Sequence, residues 1–275
     1  MEAMTREPRT RPLAGPSAAK TAPLASAASI GYLDGVAATE PARAYKAGLL
    51  AALGLLPGHR VLDVGCGPAT DLPALADAVG TQGEVVGVDR DPAMVAAARE
   101  RCAGSPNIRV LEGDAERLPL DPASVDRARA DRVLMHVADP AAALAELHRV
   151  VRPGGLLTLA EPDWDTLAVD HPDLAIARAS TGYVAARANR NPAVGRRLPR
   201  LAAAAGFALR AVRNEAVVLT DFVAAETILG IRRVTQRAVA AGAFDQRAAE
   251  SWLEYLTTCE VFFATVSFIT VVAEA

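Results

Sequence analysis

The chain has 275 residues, a net charge of −3 and 51% apolar residues, enough to bury a sizeable core in one elaborated α/β domain or two small ones. No basic stripe accompanies that mild acidity, which argues against nucleic acid as the main substrate. The longest apolar run, Val261 to Ala273, is interrupted by Thr265, Ser267 and Thr270, so it is predicted as a strand and not as a membrane span.

The stretch to Ala28 is rich in Ala, Pro, Thr and Arg and lacks the apolar centre of a secretory signal. It is expected to be a disordered tail; its arginines and scarce acids also suit an organelle transit peptide. A helical region through Tyr45, Leu49, Leu50 and Leu53 follows from about Ser29, closed by Pro57-Gly58. Arg60 to Ala69 then reads as a short strand carrying Val61, Leu62 and Val64, a turn at Gly65 and Gly67, and the start of a helix whose Leu72, Leu75, Ala76 and Val79 repeat at helical spacing.

Strands are predicted at Glu84–Asp89, at Ile108 leading to Asp114, at Val133–His136, and at Leu156–Ala160 after a Pro153-Gly154-Gly155 break. Asp91-Pro92 and Asp139-Pro140 each place a capping acid before a proline, a helix start signal. Glu161-Pro-Asp-Trp164 is expected to be a loop beyond the fifth strand. Helical sequence runs from His171 to Ala205, restarting at Asn191-Pro192 and stopping at Gly206, and again over Asp221–Ala241 and Asp245–Thr258. Strands are expected at Phe207–Leu219, with a turn or bulge near Asn214, and at Phe262–Val272. The stretches 165–205 and 221–259, with the N-terminal helix, are read as a lid over the sheet edge.

Three successive strands thus end on carboxylates, Asp63, Asp89 and Asp114, at the edge where open α/β sheets bind ligands. A dinucleotide site wants a third glycine at position 70, which is Thr70. An acid after the second strand suits two ribose hydroxyls, one after the third suits an adenine amine, and a pyrophosphate fits poorly beside Asp63. The ligand implied is an adenosine without phosphates and with a positive end, as in S-adenosylmethionine.

Val61-Leu-Asp-Val-Gly-Cys-Gly67, Val86-Gly-Val-Asp-Arg-Asp-Pro92, Gly113-Asp-Ala115, Val133-Leu-Met-His-Val137 and Leu147-His-Arg-Val-Val-Arg-Pro-Gly-Gly155, in that order, resemble the motifs of class I S-adenosylmethionine-dependent methyltransferases of the small-molecule, natural-product type. Ala69 departs from the pattern, since many relatives carry a third glycine there. The resemblance implies an α/β, Rossmann-like, seven-stranded and mostly parallel sheet with an antiparallel last strand and helical lid insertions. It implies S-adenosyl-L-methionine as cofactor, held by Asp63, Gly65, Cys66, Gly67, Asp89, Arg90, Asp114, Ala115, Asp131 and Arg132.

His136 is the candidate general base, and Tyr32, Trp164, Tyr183 and Arg187 are candidates for the acceptor site; each has a rival reading as a packing or solvated residue. Asp163, Asn191, Phe222, Trp252 and Tyr255, and the basic cluster of Arg187, Arg190, Arg196 and Arg197, are weaker candidates of the same kind. Cys66, Cys102 and Cys259 lack ligand spacing, so no metal is expected and a reduced, cytoplasmic setting is the simplest account. The expected partner is a small-molecule acceptor, without nucleic acid or membrane, and a homodimer is left open. Two further readings stand beside methyl transfer: an enzyme that binds the cofactor but catalyses a cyclisation, decarboxylation or hydroxylation, and a non-catalytic binding subunit.

Overall fold

Apolar side chains on both sides of the central strands demand cover on both faces of the sheet. In the computed structural model, which describes residues 26–275, β1 (Arg60–Val64), β2 (Glu84–Asp89), β3 (Ile108–Glu112), β4 (Val125–Asp131), β5 (Val151–Val169), β6 (Ala208–Leu219) and β7 (Ala264–Glu274) form one seven-stranded sheet in the order β3-β2-β1-β4-β5-β7-β6. The last strand, β7, runs antiparallel between β5 and β6, and the first five pair in parallel. This is the expected Rossmann-like sheet.

The helices are α1 (Ser26–Ala37), α2 (Glu40–Ala52), α3 (Leu72–Val79), α4 (Pro92–Arg101), α5 (Pro140–Val150), α6 (Leu174–Tyr183), α7 (Leu198–Ala204), α8 (Phe222–Leu229), α9 (Ile231–Ala240) and α10 (Gln246–Thr258). Alternation sorts the core: Val61 and Val85 join α3 and α4 in one cluster, while Leu62, Val64 and Val86 join α5 and α7 in another. The expected capping acids act as such, Asp91 accepting from the Ala93 N–H and Asp139 from those of Ala141 and Ala142.

Several boundaries differ from the sequence reading. The proposed N-terminal tail lies outside the described residues up to position 25, and α1 begins three residues before Ser29. Two helices replace one, because Thr39 caps α2 by accepting from the Ala42 N–H.

The fourth strand is Val125–Asp131; Val133–His136 is a turn, not a strand. Arg132 ends the strand by adopting φ 58°, in the left-handed region. Conversely β5 runs on through Glu161-Pro-Asp-Trp164 to Val169, so that segment is not a loop, and helix resumes only at α6. β5 continues because β7 still offers partners, Pro162 lying opposite Phe268, whereas pairing with β4 stops at Ala160, so no β4 partner calls for the N–H that proline lacks. The bulge in β6 falls between Leu209 and Ala211 and not at Asn214. A five-residue π-turn, Val184–Ala188, follows α6, and Gly230, at φ 60°, splits α8 from α9.

The helices of the second half have a core of their own. Val169, Ala177, Leu219, Ala225, Ile231, Ala238, Ala249, Trp252, Leu256 and Phe262 form a third cluster at the ends of β5, β6 and β7. Trp252 is 1% exposed at its centre. Trp252→Ala should cost about 3–5 kcal/mol, read as a lower urea midpoint, while the folded protein keeps its affinity for S-adenosylhomocysteine because the crevice below rests on other clusters.

Candidate functional site

Strand order reverses between β1 and β4, so the loops after these two strands open a crevice at the C-terminal edge. Gly65 and Gly67 turn there at φ 68° and 53°. A Cβ on Gly65 would come within 2.4 Å of the Val133 side chain, so glycine is what lets the β1 and β4 loops touch. Ala69 takes φ 68°, a conformation that glycine adopts without cost and alanine does not. The Cys66 side chain packs against Gly87 and is buried, and that burial pushes its thiol up, away from nucleophilic use.

The three acids lie at increasing exposure. Asp63 is 3% exposed and belongs to the crevice floor, Asp89 is half-buried, and Asp114 is exposed beside buried Ala115. Asp89 is held on both oxygens, Oδ2 accepting from the Gly67 N–H and Oδ1 from the Asp91 N–H, each at 2.9 Å. Each oxygen keeps a lone pair for a ligand. One Asp114 oxygen accepts from the Glu116 N–H, and Arg90, next to Asp89, is exposed.

Beneath the glycine turn lies a charge network that the sequence reading missed. Along β4, Arg127, Arg129 and Asp131 alternate with Ala128 and Ala130, which face the apolar core. The Arg129 guanidinium is buried among three carboxylates: Asp63 at 3.3 Å, Asp71 at 2.8 Å and Asp131 at 3.2 Å. Lys46 of α2 reaches Asp71 at 2.6 Å, and the Tyr45 hydroxyl donates to Asp131 at 3.2 Å. Burial alone would raise Asp71, but Arg129 and Lys46 outweigh it and hold its carboxyl below the usual range. At Asp63 burial wins over Arg129 and pushes the carboxyl up to about 7. The alternation of charged residues along a central strand was the available signal for Arg129. Asp71 and Lys46 had none.

His136 is exposed at the crevice, on the turn after β4. Crowding by the surrounding protein, followed by the positive charges of Arg90 and Arg132, lowers its imidazole to about 4, so it is neutral at physiological pH. Glu161, 0% exposed, supports this turn by accepting from the Leu134 N–H. Its other oxygen, Oε2, is buried without a hydrogen-bond partner, and burial pushes the carboxyl up to about 8. Trp164 is half-buried, its indole N–H directed at the Met135 sulfur at 3.4 Å. Asp163 is buried in an ion pair with Arg196.

Arg132 lies beside this turn with its Nε buried and unbonded, the nearest Asp131 oxygen being 3.7 Å away. Above the glycine turn, Leu33 of α1 sits 3.4 Å from where a Gly67 Cβ would be. The neighbouring Tyr32 donates its hydroxyl to the Ile228 carbonyl of α8 at 2.9 Å. Of the other acceptor-site candidates, Tyr183, Phe222, Trp252 and Tyr255 pack in or against the third cluster, and Arg187 is exposed on the π-turn.

Comparison with known proteins supplies the kinship. Residues 62–159 match the family model of a methyltransferase domain. The uncharacterized 37.1 kDa protein in transposon TN4556 of Streptomyces fradiae is 49% identical over 246 residues, 90% of this chain and 71% of that protein. The chain belongs to the class I S-adenosylmethionine-dependent methyltransferases.

The chain is also 33% identical over 135 residues to the demethylmenaquinone methyltransferase of Staphylococcus epidermidis, an alignment spanning 49% of this chain and 56% of that protein. Its fold is shared with Haemonchus contortus phosphoethanolamine N-methyltransferase 2, solved in complex with S-adenosyl-L-methionine (TM-score 0.57, 20% identity, 90% of this chain and 56% of that one). S-adenosylmethionine is the cofactor of this family and of this methyltransferase. The residues fit it, since the Asp89 oxygens, each fixed by one backbone N–H, leave acceptors for the two hydroxyls of an unphosphorylated ribose.

Two outcomes test this geometry. Asp89→Ala should weaken S-adenosylhomocysteine binding by about 1.5–3 kcal/mol, roughly ten- to 150-fold, by calorimetry; unchanged affinity removes Asp89 from the site. Glu161 binds its proton more tightly folded, at about 8, than at its ordinary 4.5. Its contribution to stability is therefore greatest below that ordinary value and is lost as pH rises to about 8. Urea midpoints should fall over this range, and Glu161→Gln should flatten the fall; identical slopes would refute the assignment.

Proposed function

We propose that this methyltransferase transfers a methyl group from S-adenosylmethionine to a small organic acceptor, in secondary metabolism, with His136 as general base. The observation that carries this reading is the meeting of two loops at the β1/β4 switch point: the glycine turn beside a pre-held Asp89, and the turn bearing a neutral imidazole.

In this reading Asp89 accepts the ribose hydroxyls, and Asp114 with the Ala115 backbone borders the adenine. Arg132, with its buried and unpartnered Nε, faces the methionine carboxylate. The cofactor supplies a methyl group on a positively charged sulfur, which leaves as a neutral thioether. The carboxyl groups of Asp63 and Asp131 at the crevice floor offer hydrogen-bond acceptors beneath the adjacent ammonium group. His136 takes the proton of an acceptor hydroxyl, amine or acidic carbon as that atom becomes the nucleophile, and passes the proton to solvent. Leu33 over the glycine turn, and α8 tied to α1 through Tyr32, form the inner edge of a lid that keeps water from the reacting centre. The relative named for demethylmenaquinone supports a small-molecule acceptor.

The test is incubation with isotopically methyl-labelled S-adenosylmethionine and a panel of phenolic, amine and enol acceptors, reading product mass and S-adenosylhomocysteine together. One added methyl group with equal S-adenosylhomocysteine supports transfer. A transformed product of unmethylated mass with the cofactor unconsumed would instead assign a non-methylating reaction. With an acceptor in hand, His136→Ala should lower turnover about a hundredfold or more at unchanged cofactor affinity. Since the base acts neutral, the wild-type rate should fall only as pH drops toward about 4; wild-type turnover in the variant refutes the role.

A further inference from the structure

The His136 ring enters no hydrogen bond among the described residues, and no carboxylate orients it as an acid would orient a paired imidazole. Its direction therefore rests on the backbone of its turn, so what fixes that backbone matters. The His136 N–H donates to the Val133 carbonyl within the turn. Most other restraints come from distant chain. Glu161 holds the Leu134 N–H, and Glu116 holds the Ala138 and Asp139 N–H groups.

The carbonyls are held by one residue. Asn191 donates through Nδ2 to the Leu134 carbonyl and to the Val137 carbonyl, each at 2.9 Å, and through its own N–H to the Met135 carbonyl at 3.0 Å.

We propose that Asn191 is a positioning residue: its amide clamps the Leu134–Val137 turn from both ends and so holds the His136 imidazole in the crevice. A primary amide suits the task because its two N–H groups reach two carbonyl oxygens at once. Alanine has no donor, serine has one, and aspartate would turn acceptors toward acceptors. Asn191 stands just beyond the π-turn that ends α6, a local geometry that recurs at functional places. The clamp thus links the inserted half of the chain to the turn carrying the base. This inference rests on the reading of His136 as a crevice residue, and its test is independent of whether that residue is the base.

The experiment is a proton NMR titration of the imidazole signals in the full-length protein, wild type against Asn191→Ala and the milder Asn191→Ser. The protein has 4 histidines, and His136→Gln assigns the signal. The charged groups facing the ring are the guanidinium groups of Arg90 and Arg132. Wild-type His136 should titrate near 4, and release of the turn in Asn191→Ala should move it up toward 6.5, with Asn191→Ser intermediate. The other histidines should not move. An unchanged His136 titration in both folded variants, even with lowered stability, overturns the proposal, as does a wild-type ring that titrates near 6.5. If Asn191→Ala does not fold, Asn191→Ser alone decides by the same shift. Failure of the base reading would appear separately, as wild-type turnover in His136→Ala with the Asn191 shift intact.

Discussion

The crevice depends on a charge placed where a central strand would ordinarily bury a hydrocarbon. Arg129 is the hub of an ion network joining β1 through Asp63, the start of α3 through Asp71, the end of β4 through Asp131 and, by way of Lys46, the helix α2. Charges so deep are costly to dehydrate, and the cost is offset only when every partner is present. That requirement makes the network a registration device. The glycine turn, the Asp131 end of β4 and the N-terminal helices are aligned by the same guanidinium before any ligand arrives.

The sequence made much of this legible. Short β-branched runs ending on acids, capping Asp-Pro pairs and the paired glycines lead to the sheet, its ligand edge and the cofactor. Local signals did less well where tertiary partners decide. Val133–His136 has strand composition, yet Arg132 reverses the chain before it, and only the contact with Gly65 and the bond to Glu161 show why a turn is wanted there. Glu161-Pro-Asp-Trp164 has loop composition, yet a free row of β7 hydrogen-bonding groups draws it into the sheet. Asn191 stood out as part of a helix start signal and as a weak acceptor-site candidate, not as a clamp, because its partners lie 54 and 57 residues earlier. Long-range polar bonds leave no periodicity to read.

Depth orders the chemistry of the site. Asp63 and Glu161 are sealed in and hold protons far above ordinary carboxyl values, whereas Asp89 is half open with both oxygens pre-oriented. His136 is the reverse case, an imidazole whose crowding and cationic neighbours keep it unprotonated. Burial and charge, more than residue type, divide the acidic and basic groups between architecture and ligand contact.

The third hydrophobic cluster, gathered around Trp252 above the sheet's far end, carries a consequence for how such a protein changes over generations. On the proposed reading of these helices as a lid, a cap with its own interior accepts new side chains without disturbing the separate clusters that pack the sheet. On that reading acceptor preference and cofactor use drift at different rates, the first in a roof that is rebuilt freely, the second in a floor where Arg129 ties Asp63, Asp71 and Asp131 together.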